Sequence, residues 1–347
     1  MRTKHLFYLL AAALCLFGTT SCKKDFTGKS IRFSAVTRSN AATTKTAYSG
    51  VVTEGKERID WVDGDQIKLA MKNDENANSS HVYAISDITT DGRYSKAGLE
   101  PDGGNGLEWG TGTHDFWAAY PSTATFGNHS ISGSISDNQT VSFIQKKNDV
   151  LLYDTDMSGA LMVAGLQTTP SDAGISLDFY PAFTTFDFTV GANDNITITN
   201  FEMETEAYEE ETSTVVPICG AYSANFNASG SMSHTFSSSS TSQTITVSFD
   251  DGAGNDYHPI ISTTTSMNFK VFALPLDITG VRIQFHLSNG RTHKLRLKKD
   301  DAWLVFSACT KVNISGLLVP GADWYINFEY PREEQWVIHP DIEIGVE

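Results

Sequence analysis

The sequence is poor in charged residues, and the charges that it does carry are mostly acidic. Charged side chains make up 19% of the 347 residues, and 41 Asp and Glu against 25 Lys and Arg give a formal charge of −16. An excess of acids argues against nucleic-acid binding, which depends on neutralising phosphates with Lys and Arg. The scarcity of Glu, Lys and Arg also favours strands over helices, whose exposed faces usually carry these residues.

Motifs tied to a catalytic mechanism are also missing. The nine histidines are scattered, without a His-Glu-x-x-His pair, and no Gly-x-Ser-x-Gly elbow is present. We therefore expect no enzymatic activity and no cofactor.

Two acidic stretches, residues 58–69 ("RIDWVDGDQIKL") and 249–257 ("FDDGAGNDY"), are compatible either with a metal site or with strands joined by a turn. Neither shows the ligand spacing of a calcium loop, and Asp-Gly is a strong hairpin signal. We therefore predict a structural hairpin in the first stretch and no metal in either.

The only long apolar run, residues 6–17 ("LFYLLAAALCLF"), is too short to span a bilayer. Arg2 and Lys4 precede it, and the small residues "GTTS" lead to Cys22. This layout predicts a lipoprotein signal peptide over residues 1–21 with lipidation of Cys22, although an ordinary signal peptide with a chance cysteine fits too. A lipidated Cys22 would anchor the chain to a membrane surface.

Cysteine is scarce as well. Of the four cysteines, Cys15 lies in the signal peptide and Cys22 takes the lipid, which leaves Cys219 and Cys309. These two could form a disulfide in an oxidising compartment, or each could be a small buried apolar side chain, and the sequence leaves both open.

What the chain has in abundance is short β-type runs separated by turns rich in Gly, Asn and Asp. No convincing amphipathic helix is present, so the pattern predicts an all-β protein built from antiparallel sandwiches. Residues 167–174 ("QTTPSDAG") are the best linker candidate. They divide the chain into two tandem domains, residues 39–170 and 171–320.

A strand-like segment precedes the first domain. In residues 31–36, Ile31, Phe33 and Ala35 alternate with polar residues, which predicts a strand with one buried face. Arg38 follows in a polar stretch, where a trypsin-like protease would cut, although an ordinary surface arginine is the alternative. A cut there would release residues 22–38, the lipid and the first strand together.

The tail, residues 321–347, ends in a second strand-like segment. Ile342, Ile344 and Val346 alternate there with acids and Gly345. A chain end that alternates so regularly predicts a strand that needs a sheet to join.

Several motifs together resemble the fimbrillin family, the type V pilus subunits of Bacteroidetes, over nearly all of the mature chain. They are "TKTAYSG" (residues 44–50), "RIDWVDGDQIKL", "FWAAYP" (residues 116–121), "LMVAG" (residues 161–165) and "WLVFSACTKVNISGLLVP" (residues 303–320). The chain departs from the family pattern at Cys309, where Gly is usual.

The resemblance implies two tandem Greek-key, transthyretin-like sandwiches in a lipoprotein carried to the outer membrane. It also implies that a protease removes the first strand by cutting after Arg38, which opens an apolar groove. A strand from the C-terminal end of another subunit then fills this groove. The donor segment in this chain would be residues 341–346. The implied partners are other pilin subunits and ligands on host or bacterial surfaces.

A glycan- or host-ligand-binding surface lipoprotein that does not polymerise is the alternative. It would have the same lipoprotein signal peptide and the same β-sandwich domains. Such a protein would use exposed aromatic platforms, for which Trp109, Trp117, Trp324 and Trp336 are candidates, although tryptophans in sandwiches are usually core residues. Whether the subunit is a stalk, a tip or an anchor is open.

Overall fold

The structure is a computed structural model, and every element in it is a β-strand. It describes residues 25–37, 47–53, 56–73, 78–91, 94–155, 161–206, 216–225, 237–238, 242–278, 280–299, 304–306, 310–318, 325–329 and 342–345. The all-β prediction is confirmed.

In chain order, the strands in the first half are β1 (Phe33–Thr37), β2 (Ala47–Thr53), β3 (Lys56–Asp60), β4 (Gln66–Asn73), β5 (Asn78–Asp91), β6 (Tyr94–Pro101), β7 (His114–Tyr120), β8 (Thr125–Gly127), β9 (Ser130–Ile135), β10 (Asn138–Lys147), β11 (Val150–Thr155), β12 (Met162–Thr168) and β13 (Ile175–Pro181). Those in the second half are β14 (Thr184–Ala192), β15 (Ile196–Glu206), β16 (Gly220–Asn225), β17 (Ser237–Ser238), β18 (Thr244–Asp250), β19 (Ile260–Ile261), β20 (Ser266–Ala273), β21 (Leu276–Ile278), β22 (Gly280–Leu287), β23 (Thr292–Lys299), β24 (Leu304–Phe306), β25 (Thr310–Leu318), β26 (Tyr325–Glu329) and β27 (Ile342–Gly345).

Seven strands form a closed barrel in the order β1-β13-β12-β7-β4-β5-β6, and β1 and β6 close the ring. Its core is aromatic. The indole of Trp61 lies edge-on to Phe179 and Tyr120, at ring-centroid distances of 5.3 Å and 5.7 Å. Edge-to-face packing suits the ring quadrupoles, so these contacts add to the apolar burial that holds the barrel together.

A larger sheet follows the order β26-β25-β14-β20-β11-β10-β18-β15-β22-β23-β27. Its buried side is lined by phenylalanines whose ring centroids lie about 5 Å apart, namely Phe188, Phe201, Phe249, Phe269 and Phe285. Apolar residues of β14, β15, β18, β20, β22 and β25 are buried in this cluster, which makes it the second core of the molecule.

The strand pairing crosses the division at residues 170 and 171. The segment 169–174 joins β12 to β13, and both strands belong to the barrel. The hairpin of β10 and β11 pairs with β18 and β20 of the larger sheet instead. Each unit therefore contains strands from the other side of the proposed linker.

The side chain of Gln139 on β10 reinforces this crossing. Its amide nitrogen donates to the carbonyl oxygen of Phe272 at 2.7 Å, and its amide oxygen accepts from the Phe272 N–H at 3.0 Å. Gln139 is buried, so it continues the pairing of β20 beyond the point where β11 ends.

Most pairs are antiparallel, but four are parallel: β1 with β13, β10 with β18, β11 with β20, and β14 with β25. Parallel neighbours cannot be joined by a tight hairpin and need a long crossover connection, which the local sequence pattern does not reveal. No helix within the described part of the chain is long and apolar enough to cross a membrane.

The stretch 58–69 forms a turn but not a hairpin. Gly64 has a φ of +86°, as a tight turn after Asp63 requires. The strands on either side separate, because β3 pairs with β2 while β4 pairs with β5 and β7. The predicted turn is confirmed, and the predicted pairing of its two strands is wrong.

One acid of this turn, Asp65, has a structural role. Asp65 is buried, and its carboxylate accepts hydrogen bonds from the Val62 N–H at 3.0 Å and from the Tyr120 hydroxyl at 3.2 Å. In the second acidic stretch, the carboxylate of Asp251 accepts from the N–H groups of Ala253 and Asn255. Among the described residues, no group of three or more His, Cys, Asp and Glu could hold a metal ion.

Candidate functional site: the first strand and its groove

Strand β1 lies between β13, to which it is parallel, and β6, to which it is antiparallel. Phe33 is opposite Ile175 on one side and Leu99 on the other. Because β1 is hydrogen-bonded on both sides, its removal would leave two strands with unpaired edges and a groove between them.

The inward-facing residues of β1, and Ile31 just before it, are buried in the barrel core. Ile31, Phe33 and Ala35 are 6%, 5% and 0% exposed, as the alternating pattern predicted. The ring of Phe33 packs edge-on against Tyr83 and Phe116, at centroid distances of 5.5 Å and 5.6 Å. Burying side chains of this size supplies several kcal/mol of attachment, on the order of 2 kcal/mol for each large apolar side chain.

The strand ends in a polar pocket. The hydroxyl of Thr37, which is 0% exposed, donates to the carbonyl oxygen of Ile59 at 2.7 Å and accepts from the Ser95 N–H at 3.2 Å. Each of these buried backbone groups would lose a partner without the hydroxyl. The prediction ended the strand at residue 36 and missed Thr37, although Thr37 continues the alternation of Phe33 and Ala35 by one more position.

A second set of backbone bonds holds the segment before β1. The Gly28 N–H donates to the Trp109 carbonyl at 2.7 Å, the Trp109 N–H to the Lys29 carbonyl at 2.9 Å, and the Ile31 N–H to the Leu107 carbonyl at 2.9 Å. The loop 107–109 thus acts as a clamp on residues 28–31. No local sequence signal identifies this contact, because it joins segments about 80 residues apart.

Tyr83 connects the clamp to β1. Its hydroxyl accepts from the Leu107 N–H at 2.8 Å, while its ring contacts Phe33. Burial raises the pKa of Tyr83, and the hydrogen bond from Leu107 opposes that shift only in part. The phenol therefore stays neutral at physiological pH and serves as a fixed acceptor.

Most of the other predicted site residues lie outside the part of the chain that the structure describes. Cys22, Arg38 and Val346 lie outside the described residues, and β1 ends one residue before Arg38. Cys219 is a buried free thiol whose pKa burial raises, and Cys309 also lies outside the described residues.

The tail forms strands on the edges of the larger sheet. Strand β27, which contains Ile342 and Ile344, pairs antiparallel with β23 over four positions. Strand β26 pairs antiparallel with β25 at the opposite edge over five positions. The predicted strand at the chain end is therefore present, and it is paired within its own chain.

The tryptophans that the structure describes are core residues. Trp61, Trp109 and Trp117 are 2–3% exposed. Trp324 and Trp336, the other two candidates for aromatic platforms, lie outside the described residues.

Three solved structures that resemble this chain show what it is similar to, and the first of them has a similar fold. A candidate cell adhesion protein from Bacteroides ovatus ATCC 8483 superposes with a TM-score of 0.50 at 13% identity, over 91% of this chain and 100% of that chain. A second one, from Bacteroides uniformis ATCC 8492, has a TM-score of 0.49 at 14% identity, over 88% and 98%. The tip fimbrial protein Mfa3 from Porphyromonas gingivalis has a TM-score of 0.37 at 6% identity, over 86% and 98%.

No curated protein matches the chain. The model of one protein family, described as Fimbrillin-like, matches residues 29–336. That match includes the whole barrel and every strand of the larger sheet except β27. The chain therefore belongs to the fimbrillin-like family.

Proposed function

We propose that the protein is a pilus subunit, carried to the cell surface as a lipoprotein, that joins other subunits by exchanging its first strand. Its role is structural and adhesive rather than enzymatic. The observation that carries the proposal is the position of β1, which closes the barrel and is followed within one residue by Arg38.

Removal of β1 would create a site for another strand. The backbone groups of β6 and β13 that face β1 would lose their partners, and the core around Phe33 would be open to water. An incoming strand restores both the hydrogen bonds and the apolar burial, which is recognition by β-augmentation. Since this contact joins the groove of one subunit to the tail of the next, it is head-to-tail and extends into a fibre.

The leader, as we call residues 22–38, has the features that such a step needs. Lipidation of Cys22 would hold the precursor at the outer membrane, and a cut after Arg38 would separate the mature subunit from residues 22–38. The cut alone does not free β1, because the barrel contacts and the clamp at residues 107–109 still hold it. The incoming strand must therefore displace the leader rather than enter an empty groove.

The tail is the segment that this subunit would donate. In the structure it is stored on the edges of the larger sheet, where β27 has only four register pairs with β23. A short edge pairing of this kind is the easiest part of a sheet to release. Donation would transfer residues 341–346 from their own sheet to the groove of a neighbour.

The alternative, a ligand-binding lipoprotein that does not polymerise, would need exposed aromatic platforms. The tryptophans of the barrel, Trp61, Trp109 and Trp117, offer none because all three are buried. These tryptophans give the alternative no support, whereas the position of β1 supports the pilus subunit.

N-terminal sequencing of protein extracted from the cell surface tests the proposal. We expect a mature N-terminus at Ser39, and we expect SDS-resistant oligomers that disappear when residues 341–347 are deleted. Arg38→Gln should retain the leader, whereas Arg32→Gln should be processed normally. Arg32 is an exposed leader arginine whose guanidinium donates to the Asp172 carbonyl at 3.0 Å. An intact lipidated Cys22 on a monomeric surface protein would overturn the proposal.

A further inference from the structure

We infer that the groove of this subunit selects a strand with an aromatic ring, a small side chain and a hydroxyl at three successive inward positions, and that its own tail does not qualify. The partner that fills the groove is therefore the strand of a different subunit, with the pattern Phe-x-Ala-x-Thr or a close equivalent. This inference rests on the proposed function, because the groove exists only once β1 leaves.

The first position requires an aromatic ring. Phe33 inserts between the rings of Tyr83 and Phe116, and both contacts are edge-to-face, with interplanar angles of 74° and 71°. An aliphatic side chain would lose both ring contacts and leave part of the pocket empty.

The second position requires a small side chain. Ala35 is 0% exposed and lies opposite Ala97 on β6 and Leu177 on β13. The methyl group of Ala35 thus fills a closed site in which one neighbour is itself an alanine. A larger side chain would overpack a core that is already filled.

The third position requires a hydroxyl. Thr37 provides the donor for the Ile59 carbonyl and the acceptor for the Ser95 N–H in a site without exposure. A Val side chain has nearly the same shape but would take the Thr37 hydroxyl away from both backbone groups.

The tail strand fails at these positions. When Ile342, Ile344 and Val346 are aligned with the inward positions, every register that fills the Ala35 site places a β-branched residue there, in either strand direction. The register that aligns Ile344 with Phe33 places Val346 on the Ala35 site and Glu347 at the position of Val36. The opposite face of the tail would bury the carboxylate of Glu343, which is more costly still.

The nearer tail strand matches better but also fails. Strand β26 carries Ile326 and Phe328 in the same spacing as Ile31 and Phe33 of the leader. The next inward residue is Tyr330, which would fall on the closed Ala35 site. Neither tail strand of this chain therefore completes a second copy, and the subunit belongs in a fibre of mixed composition.

Peptide exchange tests the inference. The full mature chain, with Cys22→Ser to remove the lipid, is cut after Arg38 by limited trypsin digestion, and fluorescent peptides compete with the bound leader. The three peptides are a leader peptide (residues 29–37), the native tail (residues 339–347) and a substituted tail. The substituted tail carries Ile344→Phe, Val346→Ala and a Thr added after Glu347, which supplies the hydroxyl of the third position. We expect the native tail to bind at least tenfold more weakly than the leader, and the substituted tail to recover to within about threefold of it.

Single changes in the leader peptide provide matched controls. Phe33→Ile, Ala35→Val and Thr37→Val should each weaken binding at least threefold, whereas Ser34→Ala, at an outward position, should leave it unchanged. A native tail that binds as tightly as the leader would overturn the selectivity and leave the proposed function intact. A cut protein that exchanges no peptide, the leader included, would overturn strand exchange itself.

Discussion

Phe33→Ala is the substitution that most directly tests whether β1 is held in the barrel as described. The side chain is 5% exposed, and its ring touches Tyr83 and Phe116 edge-on. Truncation to Ala removes the apolar burial and the two ring contacts, and it leaves a cavity that a closed barrel fills only in part.

The expected cost follows from these contacts. Replacement of a buried Phe by Ala in a protein core lowers the free energy of unfolding by about 3–5 kcal/mol. Domains of this size have free energies of unfolding of about 5–15 kcal/mol, so the loss is a large share of the total. The loss falls on the contact that retains the leader, and β1 should therefore detach more often in the variant.

Urea unfolding of the Cys22→Ser chain, followed by tryptophan fluorescence, measures this cost because Trp61 lies in the same core. Ser34→Ala is the matched control, since Ser34 is the half-buried outward neighbour with only a long 3.5 Å hydrogen bond to Ile175. The control should change stability by less than about 0.5 kcal/mol. A Phe33→Ala variant as stable as this control would refute the docking of β1.

Two substitutions in the larger sheet and one labelling experiment on its core give further predictions. Gln139→Met should lower the free energy of unfolding by about 2–5 kcal/mol in urea, because the buried N–H and carbonyl of Phe272 both lose their partner. Burial acts to raise the pKa of Asp187, but two neighbouring lysines outweigh it and hold the pKa below its usual range. The stability from this group is therefore present above about pH 4 and is lost as the pH falls through the folded-state value. Asp187→Asn should cost about 3 kcal/mol at pH 7 and flatten the acid limb of a pH series of urea midpoints. Cys219 is buried with a raised thiol pKa, so a disulfide reagent should label it only at the rate of unfolding.

Each of these has an outcome that would contradict it. Thr140→Ala changes an exposed neighbour of Gln139 and should be nearly neutral, so equal effects of the two changes would dismiss the side-chain bridge. If the urea midpoint of the Asp187 variant falls at low pH as it does in the unsubstituted chain, groups other than Asp187 cause the loss of stability. Rapid labelling of Cys219 in the native protein would show that its site is open to solvent.

The predictions from sequence were correct where they depended on residues close together in the chain. Alternation identified Ile31, Phe33 and Ala35 as one buried face, and the turn chemistry of Asp63 and Gly64 located a real turn. Both depend on residues adjacent in the chain, whose spacing directly sets which way the side chains point.

The sequence failed where partners are distant. The hydroxyl pocket of Thr37 is built from residues 59 and 95, and the clamp on residues 28–31 comes from residues 107–109. The hairpin of β10 and β11 reads as part of the first unit but pairs in the second. The alternating pattern of a strand predicts which of its faces is buried, but it does not predict which strand will pair with it.

By itself, the sequence determined the β class, the strand that begins the barrel and the one near the chain end, because period-two alternation is a property of the local chain. The tertiary structure alone decided that β1 closes a barrel between β6 and β13, and that the tail lies on the edges of its own larger sheet. It also decided the size and polarity of the sites that hold Phe33, Ala35 and Thr37. The reason is physical, since a pocket is made by residues far apart in sequence and exists only when the backbone brings them together.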